Sequence, residues 1–302
     1  MKTLPYLLHA LSPLHAGTGQ AVSVIDLPIA RMRATGIPFV PGSSIKGVLR
    51  DARSSGPNKL AEDDVRAVFG PETGSAAEHA GALVVGDARL LALPVRAFRG
   101  TFAWVTSPLL LDLARRDGDG TEGLPEAFAP FHGRKAMVAS VGGDAPAVNV
   151  QVQGKTARVY LEDLDLPAEP SDAAAAWARF FAPWVAPAGE ALLFERRFVV
   201  VDDETMTFLW ETATQIDTRV RLRADTRTVA KGALWVEESL PPETLLIGLL
   251  AADQSRKEGV RRSPAEILTK ALRHEAVLQF GGKATVGRGR CRLVPLVKED
   301  GR

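Results

Sequence analysis

Asp26 stands between Ile25 and Leu27, just ahead of Pro28, in the segment VIDLPIAR. It is the sole acid among the first 50 residues, which also carry Lys2, Arg31, Arg33, Lys46 and Arg50. A lone carboxylate in a cationic, glycine-punctuated stretch suits a polyanion held close to one acid. Beside a phosphodiester, such a group can bind a divalent cation (Mg or Mn) or take the proton from an attacking 2′-hydroxyl. The spacing equally allows an ordinary structural carboxylate in a loop. His15, in LHAGTGQ, is a candidate acid–base partner for Asp26, or a histidine that is simply hydrogen-bonded.

Three further segments have the composition to hold phosphates. PGSSIKG (41–47) reads as a helix entry, where unpaired backbone N–H groups and a partial positive charge attract an anion. Lys46 and Arg50 lie four apart on one face of that helix. The same residues suit plain capping, and the spacing is not that of a Walker A loop. GGKATVGRGR (281–290) interleaves Gly281, Gly282 and two later glycines with Lys283, Arg288 and Arg290. That pattern lets a backbone approach a polyanion closely, or makes a flexible hairpin. In IDTRVRLRADTRTVAKGALWVEE (216–238), Arg219, Arg221 and Arg223 alternate with Val220 and Leu222, giving one cationic and one apolar strand face. Asp225-Thr226-Arg227 supplies the turn. The hairpin is either an arm reaching across RNA or a solvated sheet edge.

The elements that must position these residues mix strands and helices without βα alternation, which predicts an α+β protein. Residues 4–12 read as a first strand, and Ser43 or Ser44 as the cap of a helix with Ile45, Val48, Leu49 and Ala52 inward. A short acidic helix over 60–69 should stop at Gly70. ALVVGDARLLAL (82–93) predicts a strand pair or a bulged strand, and FAWVTS (102–107) another strand. Ser107-Pro108 opens a helix that ends at Gly118. NVQVQGKTARVYLEDL (149–164) and LLFERRFVVV (192–201) alternate as strands, with a helix over 171–184 between them. Ser263-Pro264-Ala265-Glu266 is a capping box opening a helix over 263–275, and 290–297 is a closing strand. The whole chain, 1–302, reads as a single domain, with insertion loops at about 54–80 and 115–185 and a hairpin insertion at about 215–237.

Composition excludes several classes. With 46% hydrophobic and 24% charged residues, the 302-residue chain is globular rather than disordered. One cysteine, Cys291, permits no internal disulfide and no cysteine-built zinc site. The longest aliphatic run, LLIGLLAA (245–252), is too short to span a bilayer, which takes about 20 residues. The N-terminus lacks the apolar core of a signal peptide. A cytoplasmic protein with no membrane partner is expected. Net charge is only +1, yet residues 1–50, 215–235 and 281–292 carry +4, +3 and +4. Base clustered on a neutral total is the pattern of a local phosphate-binding track, or of three solvated faces.

Taken together, LHAGTGQ, VIDLPI, TGIPFVPGSSIKGVLR (35–50), GDARLLALPVRAFRGTFAWVTSPLLL (86–111), GALWVEESLPPETL (232–245) and LQFGGKATVGRGRCRL (278–293) resemble the RAMP superfamily. The likeness is to the backbone subunit of the type III-B CRISPR effector, the Cmr complex, and only about 115–200 is weakly marked. It implies a modified ferredoxin-like (RRM-type) palm with insertions and a protruding β-hairpin thumb, placed most naturally at 215–237. It implies partners as well: CRISPR guide RNA, complementary single-stranded target RNA, further copies of the chain in a helical stack, and other Cmr-complex subunits. The residue matching the family's cleavage aspartate is Asp26, and His15 falls in the RNA-binding loop. PGSSIKG and the glycine loop correspond to segments facing the guide backbone. A thumb would flip a nucleotide out of the duplex. Three departures stand out: IAR for Ile-Gln-Arg, LQF for Leu-Gln-Ile, and Lys283 where an acid is common, which should strengthen RNA contact. The expectation is a metal-dependent, guide-directed endoribonuclease active in the assembled complex. A non-catalytic guide-binding backbone and a CRISPR-precursor processing ribonuclease are the alternatives.

Overall fold

A computed structural model describes residues 1–17, 25–75, 77–118, 121–140, 146–151, 157–187 and 189–297, without the side chains of Thr73 and 230–232. Residues 18–20 of LHAGTGQ, Val24 of VIDLPI, residues 119–120 and 141–145 of the predicted insertion and the middle of 149–164 lie outside the described residues. In chain order the elements are β1 (Lys2–Ala10), β2 (Phe39–Val40), α1 (Gly42–Ser54), α2 (Glu62–Phe69), β3 (Leu83–Val85), β4 (Ala88–Ala97), β5 (Thr101–Thr106) and α3 (Pro108–Asp117). Then come β6 (Ala136–Val138), β7 (Arg158–Leu161), β8 (Leu164–Pro170), α4 (Asp172–Val185), α5 (Ala191–Glu195), β9 (Phe198–Val201) and α6 (Asp203–Thr212). The chain continues through β10 (Gln215–Leu222), β11 (Val229–Ser239), β12 (Leu245–Ala252), α7 (Pro264–Ala271), β13 (Ala276–Gln279) and β14 (Arg290–Pro295).

Twelve of these strands form one sheet with the path β13-β14-β1-β12-β4-β5-β9-β6-β8-β7, while β2 pairs with β4 and β3 with β12. β1 is central because both of its faces can be buried. Tyr6, Leu8 and Ala10 enter the core shared with α1, α2 and α7, and Leu7 enters the core shared with α3 and α4. LLIGLLAA, the run too short for a membrane, is β12, antiparallel to β1 and split between the same two cores. A strand covered on both faces reads as continuous apolar sequence rather than as alternation. Cys291 of β14 sits opposite Ala10 and is fully buried. Asp64 of α2 bridges Arg262 (2.8 Å) and Lys270 of α7 (2.7 Å), tying those two helices together.

Several local expectations change in the structure. Neither Ser43 nor Ser44 caps α1. The Gly42 N–H donates to Asp87 Oδ1 at 2.8 Å, so the cap is borrowed from the start of β4. LLFERRFVVV is not one strand: its first half belongs to α5, and only Phe198–Val201 joins the sheet, parallel to β5. α7 ends at Ala271, four residues short of the expected 275. DETMTFLWET, unread as a helix, is α6, capped by Asp202 Oδ1 accepting the Thr205 N–H at 2.9 Å. Among its described residues the stretch 115–185 contains β6, β7, β8 and α4 as well as loop.

β10 and β11 pair only with each other in the sheet topology, as a two-stranded ribbon with a register shift between Val220 and Leu222. Ile216, Val220, Leu222, Val229 and Leu234 are exposed along it, as are Arg221 and Arg223.

Candidate functional site

The segment holding Asp26 is laid against the base of this ribbon. Leu27 N–H donates to the Val236 carbonyl (3.1 Å), and Glu238 N–H donates to the Leu27 carbonyl (3.0 Å). Leu27 therefore bridges Glu237 in parallel, and residues 26–29 act as a short third strand beside β11. Pro28, which has no N–H to donate, is tolerated at such an edge. Asp26 itself is exposed, and one of its oxygens, Oδ2, accepts the Val236 N–H at 2.8 Å.

Three acids at the ribbon base are buried or half-buried, and each is matched by cations. Glu238 is 2% exposed. Its Oε1 accepts from Arg31 (2.6 Å) and Thr214 Oγ1 (2.9 Å), and its Oε2 from the Ile29 N–H (3.1 Å). Glu237 accepts from Trp235 Nε1 (2.6 Å), Arg219 Nε (3.3 Å) and Lys283. Burial alone would raise its carboxyl, but the bonds from Lys283 and Trp235 and the nearby positive charges hold it below the usual carboxylate range. Asp217 accepts from Arg288 Nη2 (2.7 Å) and is likewise held low, against the opposing effect of burial. Arg288 is buried and also donates to Ser239 Oγ at 2.8 Å. Buried charge is costly unless paired, so this network fixes how the ribbon leaves the palm.

His15 joins the same base. Its Nδ1 lies 2.7 Å from the Glu238 carbonyl, which can only accept, so Nδ1 carries the hydrogen. Nε2 faces Gly17, where a Cβ would lie 2.6 Å from it. The glycine loop closes over this histidine. Gly281 has φ +67°, and a side chain there would overlap the His15 carbonyl oxygen, whereas Gly282 is exposed with open space around it. His15, Gly17, Leu27, Pro28, Ser44, Gly281 and Gly282 thus line one cleft of about 290 Å³.

Four segments singled out from sequence therefore meet: LHAG, the Asp26 strap, the start of α1 and the glycine loop. Other predicted residues do not point there. Lys46 Nζ donates to the Leu83 carbonyl (3.1 Å), and Arg50 to the Pro71 carbonyl (3.1 Å). The Lys46 amine is pushed down by burial and by Arg50. Lys283, Arg288 and Arg219 serve Glu237 and Asp217, leaving Arg221 and Arg223 as the exposed arginines of the predicted trio. Sequence reasoning passed over Asp217, Glu237 and Glu238. The signal was present in WVEES: adjacent acids on a strand must face opposite sides, so one of them had to turn inward. A larger groove of about 660 Å³, between α4 and α7, shares none of the cleft residues.

Residues 7–292 match the pattern of the RAMP superfamily. The chain belongs to that family. Its sheet, flanked helices and separate ribbon are the superfamily's modified ferredoxin-like palm with a protruding hairpin. Among similar proteins is the CRISPR system Cmr endoribonuclease Cmr4 of Pyrococcus furiosus, 34% identical over 291 residues, spanning 96% of this chain and 94% of the relative. A crystal structure of oligomeric Cmr4 from Pyrococcus furiosus superposes with TM-score 0.72 at 25% identity, covering 99% of this chain and all of that one. The fold also matches a chain of a type III-B Cmr-beta complex bound to cognate target RNA, with TM-score 0.72 and 22% identity over 98% of each chain.

Proposed function

We propose that this RAMP protein is the backbone subunit of a type III-B CRISPR ribonucleoprotein, stacking with copies of itself along a guide RNA and cutting the paired target RNA. The single observation that carries the reading is the exposed Asp26 carboxylate, fixed by the hairpin base and adjacent in the chain to Leu27 and Pro28, which line the glycine-bearing cleft. Kinship with a Cmr endoribonuclease supports the activity and the partners. Guide–target pairing supplies sequence choice, so the protein need contact only backbone and shape. Gly281 and Gly282, with the start of α1, offer main-chain groups to guide phosphates, and Arg221 and Arg223 on the ribbon, acting as a thumb, offer charge.

In the reaction, the target 2′-oxygen attacks its own phosphorus in line, and the P–O5′ bond breaks. Asp26 takes the 2′-hydroxyl proton, and the departing 5′-oxygen is protonated from water. The products are a 2′,3′-cyclic phosphate and a 5′-hydroxyl. Among the described residues no three His, Cys, Asp or Glu side chains gather as a metal cage. Glu237 and Glu238 are engaged by cations. Asp26 is the carboxylate that would hold a Mg or Mn ion, since such ions are commonly bound through one or two carboxylates. When bound, that ion would offset phosphate charge. Asp26→Ala in assembled complexes should abolish cleavage while leaving guide and target binding unchanged. Cleavage at the wild-type rate would refute the assignment.

A further inference from the structure

We propose that the backbone amide of Val236 is a positioning group for cleavage, aiming the Asp26 carboxylate and making its orientation follow the base of the hairpin. This rests on the reading of Asp26 as the cleavage residue. An exposed aspartate ordinarily samples several staggered rotamers. Here a charge-assisted bond of 2.8 Å from the Val236 N–H selects one of them. The Val236 carbonyl is also turned to the strap, accepting the Leu27 N–H at 3.1 Å. By the alternation of an antiparallel ladder, the bonds that join β11 to β10 then fall to its neighbours. Val236 thus spends both main-chain groups on the Asp26 segment.

The attachment is extensive enough for the two to move together. Glu238 N–H donates to the Leu27 carbonyl (3.0 Å), and Glu238 Oε2 accepts the Ile29 N–H (3.1 Å). The carboxylate is therefore carried by the ribbon that reaches toward RNA. A duplex that displaces the ribbon carries the strap with it, and the Val236 amide keeps the Asp26 carboxylate aimed as they move, which couples thumb engagement to the chemistry.

The test uses assembled complexes with guide and target under single-turnover conditions. Replacing the Val236 amide by an ester, through incorporation of the matching α-hydroxy acid, deletes the N–H and leaves the side chain. Val236→Pro removes the same donor genetically, and Val236→Ile keeps it. The ester and proline forms should cleave about ten- to a hundred-fold more slowly, with target affinity and cut positions unchanged, while Val236→Ile cleaves at the wild-type rate. An ester form cutting at full speed would overturn the proposal, as would a rate loss matched by an equal loss of target affinity. Asp26→Ala run alongside separates the two failures. If Asp26→Ala is inactive and the ester form is normal, only the positioning role falls; if Asp26→Ala is active, the underlying reading falls too.

Discussion

Gly281→Ala is the perturbation for which the structure predicts most. At φ +67° an L side chain pays the left-handed penalty, about 1–2 kcal/mol. The new Cβ also overlaps the His15 carbonyl oxygen, which is backbone and cannot swing aside. Overpacking of that kind costs roughly 1–3 kcal/mol more. A total of roughly 2–5 kcal/mol is a large part of the ~5–15 kcal/mol that holds a domain folded. It corresponds to a fall in Tm of roughly 3–8 °C. If the loop instead lifts off His15, some stability returns but the cleft opens, and guide RNA binding weakens. Gly282→Ala is the internal control, because open space surrounds that position and its backbone conformation is available to any residue. Calorimetry and guide-binding titration of the two variants read both effects. Equal Tm and equal affinity for Gly281→Ala and Gly282→Ala would refute the closure of the glycine loop over His15.

Two further outcomes follow from the cation-paired acids. Glu238→Ala leaves Arg31 and the Ile29 N–H without their buried acceptor, and should cost about 3 kcal/mol in urea unfolding, with Glu238→Gln losing less because it keeps an acceptor oxygen. Asp217, Glu237 and Asp64 all have folded carboxyls held below their ordinary values. On acidification the unfolded chain protonates first, so their stabilisation is complete above the ordinary carboxylate range and disappears as pH falls through the depressed folded values. Urea midpoints measured from pH 7 to pH 3 should fall steeply at the acid end, and Asp217→Asn should flatten part of that slope.

Much of this arrangement was legible in the residues. Gly70 stops α2, Ser107-Pro108 opens α3 and Ser263 with Glu266 caps α7, because each signal acts within one turn of chain. The strand alternation of the hairpin was likewise readable from Arg219, Val220, Arg221 and Leu222, whereas the meeting of LHAG, the Asp26 strap and the glycine loop came from the structure. What could not be read was partnership across long separations. Arg288 looks like a phosphate ligand until Asp217, 71 residues away in sequence, is found beside it. Lys283 likewise turns to Glu237, and the cap of α1 comes from Asp87. α6 was overlooked rather than illegible, since Asp202 supplies its cap and Met206, Leu209 and Trp210 fall at i, i+3 and i+4 on the face that enters the core.

The buried Cys291 has a practical corollary. Its thiol is pushed up to about 12 by burial, so almost no thiolate exists near neutrality to react with maleimides or iodoacetamide. The folded wild-type chain should therefore react slowly with sulfhydryl reagents. A cysteine introduced at the exposed hairpin turn, such as Thr226→Cys, becomes the unique labelling position. Spin or fluorescent probes there would read the spacing between copies in the proposed stack, with little background from the buried thiol.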